Sequence, residues 1–251
     1  MKELREVLWS ERTREEIPQW AGKGAVVVMP IASTEQHGQA LPLDTDCRTV
    51  EYVSRRAARL ADDVPVLVAP LIPYGISPHH MRFAGTISIS VTTLIDFLGD
   101  ICRSIVAHGF AKIVLLSGHG GNGDTIKAAA LELRHRLGCQ IDAFCWWDLA
   151  SAEIDAITEG PCHTIGHAGE AEASCVLALD PEAVRCEKAG WVEGISDDPA
   201  IATPEKGQRI LEAGAQALAK YLRDMAARPA APPVGIVRAG TSPAETPRPR
   251  P

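Results

Sequence analysis

The stretch Ile113-Val114-Leu115-Leu116-Ser117-Gly118-His119-Gly120-Gly121-Asn122-Gly123 decides the fold. A continuous apolar run reads as a strand covered on both faces, the situation of a parallel sheet. The glycine-dense turn ends it. The Ala- and Leu-rich segment from Asp124 to Leu137 then reads as a helix closed by Gly138 at its C-cap. Three more runs have strand character: Ala25 to Met29, Val66 to Ala69 and Ile141 to Cys145. Helical patterns lie between them, Cys47 to Leu60 and a stripe of Leu94, Phe97, Leu98, Ile101 and Ile105 at spacings of three and four. This alternation predicts an α/β fold, a three-layer α/β/α sandwich with a mostly parallel central sheet.

Beyond residue 150 the alternation weakens. His167 to Leu179 reads as a loop running into a helix. Thr203-Pro204-Glu205 is a helix start with a cap, an N1 proline and a first-turn acid, and Leu211, Gly214, Leu218, Tyr221 and Leu222 follow on one side. We expect one domain over 1–227. From Arg228 the Pro-, Ala- and Arg-rich composition of 228–251 predicts a disordered tail.

A chain of 251 residues with 46% hydrophobic content has ample material for one large core. Its net charge of −7 argues against nucleic acid as a partner, since no basic excess is available to neutralise phosphates. Seven cysteines, at wide spacings and without C-x-x-C, argue against a disulfide framework and a thiolate zinc site; they read as reduced cysteines of a cytoplasmic protein. The charged N-terminus is no secretory signal, and no apolar run approaches the ~20 residues of a membrane span.

Three segments carry chemistry. In Ser33-Thr34-Glu35-Gln36-His37-Gly38, extended backbone points Glu35 and His37 the same way, and the turn written by Gly38 and Pro42 brings Asp46 back toward them. Mixed carboxylate and imidazole donors suit a hydrolytic divalent metal. The glycine turn has two readings. Gly118 to Gly123 satisfies G-x-G-x-x-G in a strand-turn-helix context, so a dinucleotide-binding oxidoreductase is an alternative, with Asp142 as the acid for the ribose. Asp142, however, begins its strand rather than ending it. In the other reading His119 is a metal ligand at the carboxyl end of a strand. The third segment, His167-Ala168-Gly169-Glu170-Ala171-Glu172, adds an imidazole and two carboxylates; on a regular helix Glu170 and Glu172 lie about 200° apart, so they share a site only if the stretch is extended.

Together, Ser33 to Gly38 with Leu41-Pro42-Leu43-Asp44-Thr45-Asp46, Phe83-Ala84-Gly85-Thr86-Ile87-Ser88, Gly118-His119-Gly120-Gly121-Asn122 and His167 to Glu172 resemble the creatininase (creatinine amidohydrolase) family. The resemblance implies a metal-dependent amidohydrolase with two divalent ions (zinc, manganese or iron) that cleaves the C-N bond of a small-molecule amide, formamide or short peptide. It also implies a homo-oligomer, often a hexamer. Carried onto matching positions, Glu35, Asp46 and His119 would hold one metal, and His37 with the bridging Asp46 the other. Creatininase places a glutamate where Gly121 stands, so we expect Glu170 to supply the missing ligand. His167 and Glu172 are the expected proton-handling pair. Trp147, His80 in the loop shared with His79, and Gly120 are the expected substrate contacts. A non-catalytic metal-binding member is the remaining alternative.

Overall fold

The computed structural model describes residues 7–229. The segment expected as a disordered tail lies outside the described residues apart from Arg228 and Pro229. Four strands form one sheet: β1 (Val26–Ile31), β2 (Val66–Val68), β3 (Lys112–Ser117) and β4 (Gln140–Cys145). Their order is β2-β1-β3-β4 and every pairing is parallel. The apolar strand runs are therefore explained by cover on both faces. The first strand continues two residues past Met29, through Pro30 to Ile31.

Seven α-helices accompany the sheet among the described residues: α1 (Ile17–Gly22), α2 (Thr45–Leu60), α3 (Val91–Ala107), α4 (Gly123–Leu137), α5 (Ser151–Asp155), α6 (Glu170–Leu179) and α7 (Pro204–Ala227). Period-2 alternation of the strands divides the core. Val26, Val28, Val66, Val68, Val114 and Leu116 point toward α2 and α7, where they meet Val50, Val53, Ile210, Leu211 and Leu218 around buried Trp146. Val27, Met29, Ile31, Leu67, Ile113, Leu115 and Ile141 face Leu94, Leu98, Cys102 and Ile105 of α3 and Ile126, Ala129 and Leu133 of α4. The result is the three-layer sandwich.

Two local expectations need correction. Phe97 belongs to the expected stripe of α3, yet it is 47% exposed and Cys102 takes a buried place. The helix buries positions 94, 98, 102 and 105, a drift that a 3.6-residue period produces and a spacing count does not resolve. Asp142 does not stand ready for a ribose: Tyr221, Arg134 and Arg228 hold its carboxylate. Gly118 is small for a packing reason, because a Cβ there would lie 2.7 Å from both the Asp46 carbonyl oxygen and Val50 Cβ.

Register places the site. Ile31 lies opposite Ser117, so the chain leaves β1 and β3 at the same carboxyl edge of the sheet. Between these strands the strand order reverses direction, and open α/β sheets form their crevice at such a point. The loop from β1 to α2 and the glycine turn after β3 consequently converge.

Candidate metal centre

Glu35 and His37 follow β1, Asp46 lies in the first turn of α2, His119 lies in the turn after β3, and Glu172 lies in the first turn of α6. Four chain segments thus deliver five side chains to one buried place, each at most 4% exposed. Ligand-capable atoms of His37, Asp46 and Glu172 lie within 4.8 Å of one another, as do those of Glu35, His37 and His167 and those of Glu35, His79 and His119.

Backbone acceptors fix the imidazole rings. His37 donates from Nδ1 to the Glu35 carbonyl oxygen at 3.1 Å, which turns Nε2 toward Asp46 Oδ1 at 3.2 Å and Glu172 Oε2 at 3.5 Å. His119 donates from Nε2 to the Ile76 carbonyl oxygen at 3.0 Å, and its Nδ1 faces Glu35 Oε1 at 3.2 Å and Asp46 Oδ2 at 3.3 Å. Each ring therefore aims its remaining nitrogen at carboxylate oxygens. Lone pair against lone pair is tolerable only with a cation between them, a proton or a metal ion. Both Glu35 oxygens and Asp46 Oδ2 are buried without a hydrogen-bond partner, so the donor set fits divalent ions.

The electrostatics agree. Burial works against protonated His37 and His119, but it is outweighed by Asp46 and Glu172 at His37, raised to about 9, and by Asp46 and Glu35 at His119, raised to about 10. Burial likewise opposes ionised Asp46, yet the two histidines hold it below the usual carboxylate range. At Glu172 burial prevails over His37 and raises the carboxyl to about 8. The pocket is strongly cation-seeking.

Glu170 does not join this group. Helix α6 begins at Glu170 itself, so helical rotation sends its side chain away from that of Glu172. It accepts hydrogen bonds from the backbone N–H groups of Glu159 and Gly160 and pairs with Lys206 at 2.7 Å. The expectation that it replaces the ligand missing at Gly121 is corrected: Glu172 is the carboxylate beside His37. Gly121 is constrained for its own reason. A Cβ there would sit 2.4 Å from His119 Nε2 and 2.4 Å from the Ile76 oxygen, directly on the bond that orients His119.

His167 lies between His37 and His80, with ring centroids 4.5 and 4.2 Å away. Burial, with His37 and His80 beside it, pulls it down to about 3, so the ring is neutral. Its Nε2 donates to the Gln36 carbonyl oxygen and Nδ1 points toward Glu35 Oε1 at 3.5 Å. The following residue, Ala168, is the one non-glycine with positive φ among the described residues, at 54°, and its N–H donates to Glu172 Oε2. Strained backbone thus sits between His167 and Glu172.

Of the expected substrate contacts, His80 reaches the rim, with Nδ1 3.1 Å from Gln36 Nε2 and Nε2 3.9 Å from Glu35 Oε1. Gly120 is exposed, with open space where a Cβ would stand. Trp147 packs edge-on against Trp146, ring centroids 5.6 Å apart, at the border of the core. Three supporting residues escaped the sequence reading. Asn122 accepts from Ile76 N–H and donates to the Ala32 carbonyl oxygen, tying three loops together. Ser77 contacts His119 Nε2 and Ser33, and Gln36 donates to the Gly194 carbonyl oxygen. Gln36 and Asn122 lie inside the quoted motifs, the only sequence signal they carry.

A family model described as creatininase, creatinine amidohydrolase, matches residues 10–222. The mycofactocin precursor peptide peptidase of Mycobacterium tuberculosis is 36% identical over 219 residues, covering 74% of this chain and 80% of that protein. A structure named "Creatininase Mn" superposes with a TM-score of 0.75 at 27% identity, covering 87% of this chain and 98% of that one. A creatininase mutant of Zn-Zn type also gives 0.75, at 26% identity, covering 87% and 97%.

Proposed function

The chain belongs to the creatininase family and is a metal-dependent amidohydrolase, and we propose that Glu35, Asp46 and His119 hold one divalent ion while His37, Asp46 and Glu172 hold a second. One observation carries this reading: His37 Nε2 and His119 Nδ1, each set by a backbone acceptor, face opposite oxygens of the same buried aspartate. Asp46 is the bridge.

When bound, the ions lower the pKa of water from 15.7 toward ~7 and polarise the scissile carbonyl. The chain supplies the remainder. Glu172, expected from sequence to take the proton of the attacking water, lies so close to His37 that we assign it to the second ion. His167 carries the proton instead: neutral, 21% exposed at its side chain and open toward the site through Nδ1, it accepts a proton and passes it to the leaving nitrogen. Burial disfavours its charged form, so the ring is a weak base that, once protonated, gives the proton up readily. Gln36 holds it in place through its backbone carbonyl, which accepts the Nε2–H.

The substrate class we favour is a short peptide or a small amide, supported by the peptidase relative. Zinc, manganese and iron all suit such oxygen and nitrogen donors. Seven unpaired cysteines support a cytoplasmic location, and among the described residues no helix is long and apolar enough to cross a membrane. The homo-oligomer, up to a hexamer, rests on family resemblance. The test is hydrolysis of a panel of formamides, cyclic ureides and short peptides, with zinc, manganese or iron and with chelator. Chelator-sensitive cleavage is expected; cleavage that chelator leaves intact would refute the reading.

A further inference from the structure

We propose that His79 is an additional, outward-facing ligand of the ion held by Glu35, Asp46 and His119; this rests on the centre described above. Ligand-capable atoms of Glu35, His79 and His119 lie within 4.8 Å of one another. Two donors about 2.1 Å from one tetrahedral ion lie ~3.4 Å apart, so a shift of no more than ~1.4 Å brings the imidazole into the coordination sphere. His79 is free to make it. Its side chain is exposed, whereas Glu35, Asp46 and His119 are buried.

The loop carrying His79 is tied down on both sides of it. Ile76 accepts the His119 Nε2–H and donates its own N–H to Asn122 Oδ1. Ser77 donates its N–H to Ser88 Oγ and touches His119 through its hydroxyl. Two residues later the turn Pro78–His80 sets the His79 ring parallel to that of His119, with centroids 6.0 Å apart and planes 4° from coincidence. His80 flanks it at 4.2 Å. One segment thus braces His119 from behind and presents a second imidazole in front. Both Glu35 oxygens remain without a hydrogen-bond partner.

The consequence concerns access. Three protein donors leave a zinc-like ion with an open position, and a fourth closes it. With an ion bound, His79 would supply that fourth donor from the exposed side of the site.

Zinc titrated into the metal-stripped full chain, in competition with a chromophoric chelator, tests this on the wild type, E35Q and H79A. We expect two ions in the wild type, loss of one in E35Q, and in H79A retention of both with one weakened ~10-fold or more, as loss of a supporting group around a metal costs. Wild-type affinities in H79A, with E35Q still losing an ion, would overturn the His79 assignment and leave the centre standing. A wild-type chain that takes up no zinc would overturn the centre and the assignment with it.

Discussion

His37 Nε2 stands 3.2 Å from Asp46 Oδ1, and the other oxygen of that carboxylate stands 3.3 Å from His119 Nδ1. One first-turn aspartate of α2 therefore couples the loop after β1 to the turn after β3. Removing its charge should undo both halves of the centre. In Asp46→Asn we expect both ions to be lost and chelator-sensitive hydrolysis to vanish, measured as metal content after dialysis. Retention of one ion per chain would assign Asp46 to a single site.

Glu170 and Glu172 separate ligation from scaffolding. Glu172→Gln should reduce metal content by about one ion per chain. Full metal content with turnover lowered ~10²- to 10⁴-fold would instead make Glu172 a proton acceptor.

Glu170→Ala should keep both ions and lose stability. It leaves two N–H groups without their acceptor and Lys206 with Glu159 as its remaining carboxylate, and an unsatisfied buried donor costs about 1–3 kcal/mol. Chemical denaturation of the metal-loaded protein checks this. An unchanged midpoint would show that the network contributes nothing.

Gly121 should tolerate no side chain. Gly121→Ala puts a methyl onto the His119 Nε2 to Ile76 bond, so the ring must turn and Nδ1 must leave Glu35 and Asp46. We expect one ion to bind at least ~10-fold more weakly while the second is retained. Unaltered zinc binding would mean that His119 is not held by that bond.

Gly207 marks the crossing of α6 and α7. A Cβ there would lie 1.8 Å from the Ser174 carbonyl oxygen, backbone that cannot step aside without parting the two helices. Gly207→Ala should cost at least ~1–3 kcal/mol, lowering Tm by ~2–4 °C per kcal/mol in a chain of this size. A melting temperature equal to the wild type would show that the crossing has room for a methyl group.

Local chemistry set much of this in the sequence. Continuous apolar runs demanded a sheet covered on both faces, Gly138 closed α4 in a left-handed conformation at φ 63°, and Thr203 capped α7 by accepting from Lys206 N–H. The i, i+2 spacing placed Glu35 and His37 together, because backbone alternation is a local rule. Tertiary structure alone decided which residues meet across the chain. The register of Ile31 against Ser117 brought His119 to Asp46, and the start of α6 at Glu170 sent that carboxylate to Lys206 and left Glu172 beside His37. No periodicity reveals that Gly121 must stay small, since the reason is a hydrogen bond between a ring and a carbonyl 43 residues apart. Spacing fixes the direction a side chain takes from its own backbone; what waits there is fixed by packing.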